Sequence, residues 1–165
     1  MKVLPKGITG FFHVESEAPP SVSKSDFKSF CYQFTQLIGA KVESTTDDIT
    51  NGSLTDLSST RNYFAQLITH KAKCYWLLCN QHYPLIGLST DHKLNCESQF
   101  IDLAMFDIPS EIPTHVRGEF VILTSAQLRQ KPNMEMLCEL EPVELKEIKY
   151  WGPSQIAQII FNTWD

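Results

Sequence analysis

The strongest constraint on the fold is a set of three apolar runs, "YFAQLIT" at 63–69, "CYWLLCN" at 74–80 and "PLIGLST" at 84–90, separated only by "HKAK" and "QHY". Runs rich in Tyr, Trp, Phe, Leu and Ile with such short gaps suit an antiparallel meander better than helices. This meander is the expected core sheet. Further strands are expected at "ITGFFHV" (8–14), "SQFIDLAMFD", "GEFVILTS", "MLCEL" and "ELKEIKYW". In "KVESTTDDITNGSLTDLSSTR", Asn51-Gly52 tolerates the positive φ angles of a type I′ turn. That segment reads either as a polar, edge-like β-hairpin or as a mobile loop.

Two helices complete the expected fold. Ser25 is a good N-cap for "DFKSFCYQFTQLIG", with Asp26 in the first turn and Gly39 at the end. Phe27, Phe30, Cys31, Phe34, Leu37 and Ile38 fall on one face of a 3.6-residue helix, which must pack on the sheet. The closing stretch "KYWGPSQIAQIIFNTWD" is too apolar for a frayed tail. Gly152 and Pro153 would stop a preceding strand, Ser154 would cap, and Ile156, Ile159, Ile160 and Trp164 share a helical face. Burying each such side chain contributes about 1.5–3 kcal/mol. The expectation is one α+β domain over residues 1–165. Its antiparallel sheet of roughly five to seven strands is packed by a helix at 25–39 and a C-terminal helix at 154–164.

With 165 residues, 42% hydrophobic and 20% charged, the chain can bury a core and carries no sign of disorder. The opening "MKVLPKGITGFF" meets Pro5, Lys6 and Gly7 before any apolar run of signal-peptide length, and "CYWLLC" is far too short to span a membrane. A cytoplasmic protein is expected. Its five cysteines, Cys31, Cys74, Cys79, Cys96 and Cys138, then read as small buried hydrophobes without disulfides. Fourteen basic against nineteen acidic residues give a net charge of −5, which disfavours nucleic acid and anionic lipid and favours a basic partner.

Motifs for chemistry are sparse. Neither a glycine-rich phosphate loop nor a GxSxG elbow occurs, and paired carboxylates at glycosidase-like spacing are not evident. His70, Cys74, Cys79 and His82 are zinc-ligand types, but a period-2 strand sends Cys74 and Cys79 to opposite faces. Two buried cysteines with histidines at hairpin ends is the preferred reading, and no metal or cofactor is expected. His13, His92 and His115 are isolated in sequence and carry no ligand spacing.

The carboxylates are more informative. Glu43, Asp47, Asp48 and Asp56 lie in a segment, 42–60, without Lys or Arg. Glu135, Glu139, Glu141, Glu144 and Glu147 form a second acid-rich stretch, offset by Lys146 and Lys149. Either stretch is a solvated face that aids solubility or a docking surface that steers a basic protein. Should an acidic surface bind, Glu43, Asp47, Asp48 and Asp56 are the first candidates.

The ending Trp151, Pro153, Ile156, Ile159, Ile160, Phe161, Asn162, Trp164 and Asp165 resembles that of small bacterial immunity proteins, and "CYWLLCNQHYPLIGLST" is similar in flavour. The resemblance covers about a third of the chain. It implies a cytoplasmic, non-enzymatic protein, encoded beside a secreted or contact-dependent toxin, that covers the cognate toxin domain. Many such toxins are nucleases with basic clefts, which an acidic inhibitor suits. The rival expectations are a small enzyme with a pocket between sheet and helices and a regulatory adaptor domain.

Overall fold

A computed structural model describes residues 3–13, 17–43, 61–91, 94, 97–108 and 112–164. Among these the fold is α+β, with an open, mixed, mostly antiparallel sheet of five strands in the order β1-β2-β3-β4-β5.

The meander forms as the apolar runs require. Strands β2 (Tyr63–His70) and β3 (Lys73–Asn80) pair along their whole length, from Tyr63 opposite Asn80 to His70 opposite Lys73. Strand β4 (Leu85–Ser89) is antiparallel to β3. Short strands flank this trio: β1 (Lys41–Val42) is antiparallel to β2, and β5 (Val121–Ile122) is parallel to β4. The parallel pair makes the sheet mixed where an all-antiparallel one was expected.

Helix α1 (Lys24–Ile38) covers one face of the sheet. Its N-cap is Ser23 rather than Ser25: the Ser23 hydroxyl accepts from the Asp26 N–H at 3.4 Å, two residues earlier than the sequence indicated. Gly39 closes the helix in the left-handed region at φ 66°, as expected of a C-terminal glycine. Phe27, Phe30, Cys31, Phe34 and Ile38 are buried against Ile68, Tyr75, Leu77, Cys79, Ile86 and Leu88. Leu37 is exposed and Thr35 takes the buried position, its hydroxyl donating to the Cys31 carbonyl at 2.8 Å.

The opposite face carries a second core of Leu4, Ile8, Tyr63, Leu78, Leu128, Ile156, Ile159, Ile160, Phe161 and Trp164. Because both faces are covered, the central strands read as nearly continuous apolar runs.

Several expected strands take other forms. Among residues 8–13 no strand is present; the segment turns at Gly7 (φ 82°) and Gly10 (φ 83°). "SQFIDLAMFD" supplies one bridge, Ser89 with Phe100, and then a 3-10 turn at Leu103–Phe106. "MLCEL" forms turns and "GEFVILTS" only the short β5. The four-residue helices α2 (Thr114–Arg117) and α3 (Ser125–Leu128) flank β5 in sequence.

"ELKEIKYW" belongs to helix α4 (Pro142–Trp151), not to a strand. Pro142 suits the first helical turn, and Glu141 and Glu144 form a reciprocal cap. Gly152, at φ 58°, therefore ends a helix. The last helix, α5, spans only Ala157–Ile160 instead of 154–164. Its expected face is buried, but Phe161 leaves helical geometry (φ −120°, ψ 70°) because Asn162 pairs with Asn62 through backbone and side chain. The Asn51-Gly52 hairpin lies outside the described residues.

Candidate functional site

Three buried asparagines and one buried glutamate dominate the polar interior, and all four hold backbone. Asn80 Nδ2 donates to the carbonyls of Ile8 (2.9 Å) and Ile160 (2.6 Å), while its Oδ1 accepts the N–H groups of His82 and Tyr83, both at 2.9 Å. Asn62 donates to Ile8 O at 2.8 Å, and Asn162 donates to Thr9 O at 2.9 Å. Glu144 accepts from Gly7 N (2.9 Å), Thr9 N (3.2 Å), Thr9 Oγ1 (2.7 Å) and Glu141 N (3.0 Å). These groups tie residues 7–9 to β3, α4 and the closing segment, and tie Ile160 and Asn162 to Asn80 and Asn62. Their chemistry is structural.

The second acid-rich stretch is accordingly not one surface. Glu144 is fully buried, and Glu141 pairs with Lys6 at 2.6 Å while accepting the His13 N–H at 3.3 Å. Of the other candidates, Glu43 follows β1 at the sheet edge, where its N–H donates to Leu67 O (3.0 Å) and its carbonyl accepts from Gln66 Nε2 (2.8 Å). Asp47, Asp48 and Asp56 lie outside the described residues.

The zinc-type residues are spread over the end of β2, the length of β3 and the segment after it instead of converging. Cys79 is buried beneath α1, whereas Cys74 is exposed near Thr69, so only one of the pair is the buried hydrophobe expected. Burial pushes the Cys79 and Cys31 thiols up, the latter further raised by its neighbour Cys79. His70, before the β2–β3 turn, packs edge-on against Phe106 with ring centroids 5.2 Å apart. His82, beyond the other end of β3, donates from Nδ1 to Pro20 O at 3.2 Å. Among the described residues no cluster of three or more His, Cys, Asp or Glu could hold a metal.

Two outward features are better suited to recognition. At the end of α4, Tyr150 and Trp151 are 78% and 42% exposed and meet edge-on at 5.3 Å. Trp151 lies parallel to the buried Trp164, centroids 6.4 Å apart, and Trp164 in turn contacts Phe11 at 6.4 Å. This backing restricts Trp151, so it can present aromatic area with little ordering entropy left to lose.

The second feature is a cleft of about 380 Å³ beside β5, walled by Leu103, Ala104, Ile108, Ile122 and Leu123, with Asp102 and Thr124 as polar members. The Asp102 carboxylate accepts the Ser125 N–H (2.7 Å) and hydroxyl (2.6 Å), which fixes its orientation. The sequence reading missed this cleft because its walls come from two segments read as strands. The one local signal was Thr124-Ser125-Ala126-Gln127, whose capping box starts α3 and positions Ser125 against Asp102.

No family model, curated protein or solved structure matches the chain. No described helix is long and apolar enough to cross a membrane.

Proposed function

We propose that the chain is an immunity-type protein that binds and neutralises a toxin domain without catalysis. The observation that carries this reading is the exposed Tyr150–Trp151 pair, buttressed by Trp164, on a chain of net charge −5. Tyr and Trp held in place are the residue types that anchor protein interfaces. The acidic balance steers a basic partner toward the surface. The resemblance of the ending around Trp151–Trp164 to immunity proteins supports the same partner class.

This reading expects a toxin gene beside this one, and the test is to express its toxin domain with and without the chain and to purify the mixture. Restored growth and a stoichiometric complex are expected. Tyr150→Ala should weaken the complex by about tenfold, equivalent to about 1.4 kcal/mol. Charge reversal at Glu43, Asp47, Asp48 and Asp56 should slow association and flatten its salt dependence. An expressed toxin domain that still kills the cell and shows no complex would overturn the proposal.

A further inference from the structure

We infer that the cleft beside β5 receives an extended segment of the partner protein, carrying apolar side chains and a Lys or Arg, which adds as a strand to the sheet edge. The inference rests on the toxin-binding reading for the partner's identity and on the sheet geometry for the mode of binding.

Among the described residues strand β5 is an edge of the sheet, paired on one side with β4. Val121 and Leu123 turn their N–H groups inward, donating to Pro84 O and Ile86 O, both at 2.8 Å. In a parallel ladder the N–H and C=O of one residue face the same neighbour, and successive residues alternate. Ile122 therefore directs both groups away from β4, where an incoming strand can meet them.

Ile122, Leu123 and Thr124 themselves line the cleft, facing Leu103, Ala104 and Ile108. Leu103, Ile108 and Ile122 also border the core beneath α1, so the apolar wall is continuous with the protein interior. A volume of about 380 Å³ exceeds what one side chain fills and suits alternate side chains of a short extended segment. Asp102 supplies the charge preference. Each of its oxygens accepts one hydrogen bond from Ser125 and retains a second lone pair, so the carboxylate is already aimed when a cation arrives. Together with the net charge of −5, this favours a basic segment over an acidic one.

The test uses the ¹⁵N-labelled full chain and the capped peptide acetyl-Lys-Val-Thr-Val-Lys-amide as probe. Saturable amide shifts are expected at Leu103, Ala104, Ile122, Leu123 and Thr124. A peptide N-methylated on alternate residues, which cannot pair as a strand, and one with Glu for Lys should each bind about tenfold more weakly, the loss expected for a charge-assisted or ladder hydrogen bond. Asp102→Asn should abolish the Lys-over-Glu preference while leaving the N-methyl penalty. Ala104→Trp, at an exposed position that does not disturb the core, should block the probe with its thermal midpoint retained. Shifts elsewhere, equal binding of all three peptides, or self-association through β5 that the probe does not disrupt would overturn the inference. If a toxin domain is neutralised at wild-type affinity by Asp102→Asn and Ala104→Trp, the groove is refuted and the immunity reading survives. If the peptide result holds while the toxin domain is not neutralised, the immunity reading falls and strand addition at β5 stands.

Discussion

Gly87 lies against the ring of Phe161: a Cβ at position 87 would sit 2.7 Å from Phe161 Cε2 and 3.1 Å from Cζ. Phe161 is fully buried and packs edge-on against Tyr63 at 6.0 Å, so the ring has little room to retreat. Gly87→Ala should therefore destabilise by about 1–3 kcal/mol, the usual range for an overpacked core. Urea unfolding measures this. In Gly87→Ala combined with Phe161→Leu, the alanine should cost less than it does alone, and strict additivity would show that the close approach is not the cause.

The meander and α1 were legible in the sequence because both rest on local periodicity. Cys79 and Leu77 point to α1 and Leu78 to the opposite core, the alternation the strand runs imply. Helix α4 escaped detection because its inward face carries Glu144 where a periodic pattern needs an apolar residue, while Leu145 is exposed. Glu144 can be inside only because Gly7, Thr9 and Glu141 supply its donors, two of them from far away in sequence. The strand expected at 8–14 fails for the same reason: the Ile8 carbonyl and the Thr9 N–H and carbonyl bond to asparagine and glutamate side chains, not to a ladder. The cleft beside β5 depends on Asp102 meeting Ser125, a tertiary contact with no periodic signature.

Glu144→Gln tests how strictly that buried site requires an acceptor. Both carboxylate oxygens receive donors, Gly7 and Glu141 N–H at Oε2 and Thr9 N–H and Oγ1 at Oε1. Either orientation of an amide turns an NH₂ group toward an N–H donor. The expected loss is about 1–3 kcal/mol, that of leaving buried polar groups unsatisfied. Faster hydrogen exchange at Gly7 and Thr9 should accompany it. A variant with wild-type stability would mean that residues 7–9 do not depend on this clamp.

Thiol reactivity should divide the cysteines by burial. Cys74 and Cys138 are exposed, whereas Cys31 and Cys79 are buried with thiols raised by desolvation, which disfavours the reactive thiolate. Brief N-ethylmaleimide treatment at neutral pH, read by peptide mass spectrometry, should label Cys74 and Cys138 in the folded chain. Cys31 and Cys79 should become labelled only in denaturing urea. Labelling of Cys79 at the rate of Cys74 would place α1 in frequent detachment from the sheet.

His82 should make the fold acid-sensitive. Burial lowers its imidazole below the ordinary value of 6.5, opposed by the Pro20 carbonyl bond and by Glu144. The unfolded chain then binds this proton more readily than the folded one, so stability rises with pH across the window below 6.5. The contribution is complete above the unfolded value and is lost as pH falls toward the folded one. Comparing urea unfolding at about pH 7.5 and about pH 5, His82→Gln should lose less stability on acidification than the wild type. An equal loss in both would assign the acid sensitivity to other groups.

The β2–β3 turn is built from residues that resist its geometry. Lys71 and Ala72 both have positive φ, 46° and 64°, the pairing a type I′ hairpin needs and one that favours Asn-Gly. For a residue with a Cβ the left-handed region costs roughly 1–2 kcal/mol. Glycine removes that strain but brings an unfolded-state entropy penalty of roughly 0.5–1 kcal/mol. The difference favours Ala72→Gly, with an expected gain of about 0.5–1 kcal/mol, measured as a higher urea midpoint at unchanged slope. The turn's ion pair, Lys71 Nζ to Asp107 at 2.9 Å, is exposed on both sides and should contribute little, so Lys71→Asn in addition should preserve the gain. Loss of stability in Ala72→Gly would show that the methyl group makes a contact outweighing its backbone strain.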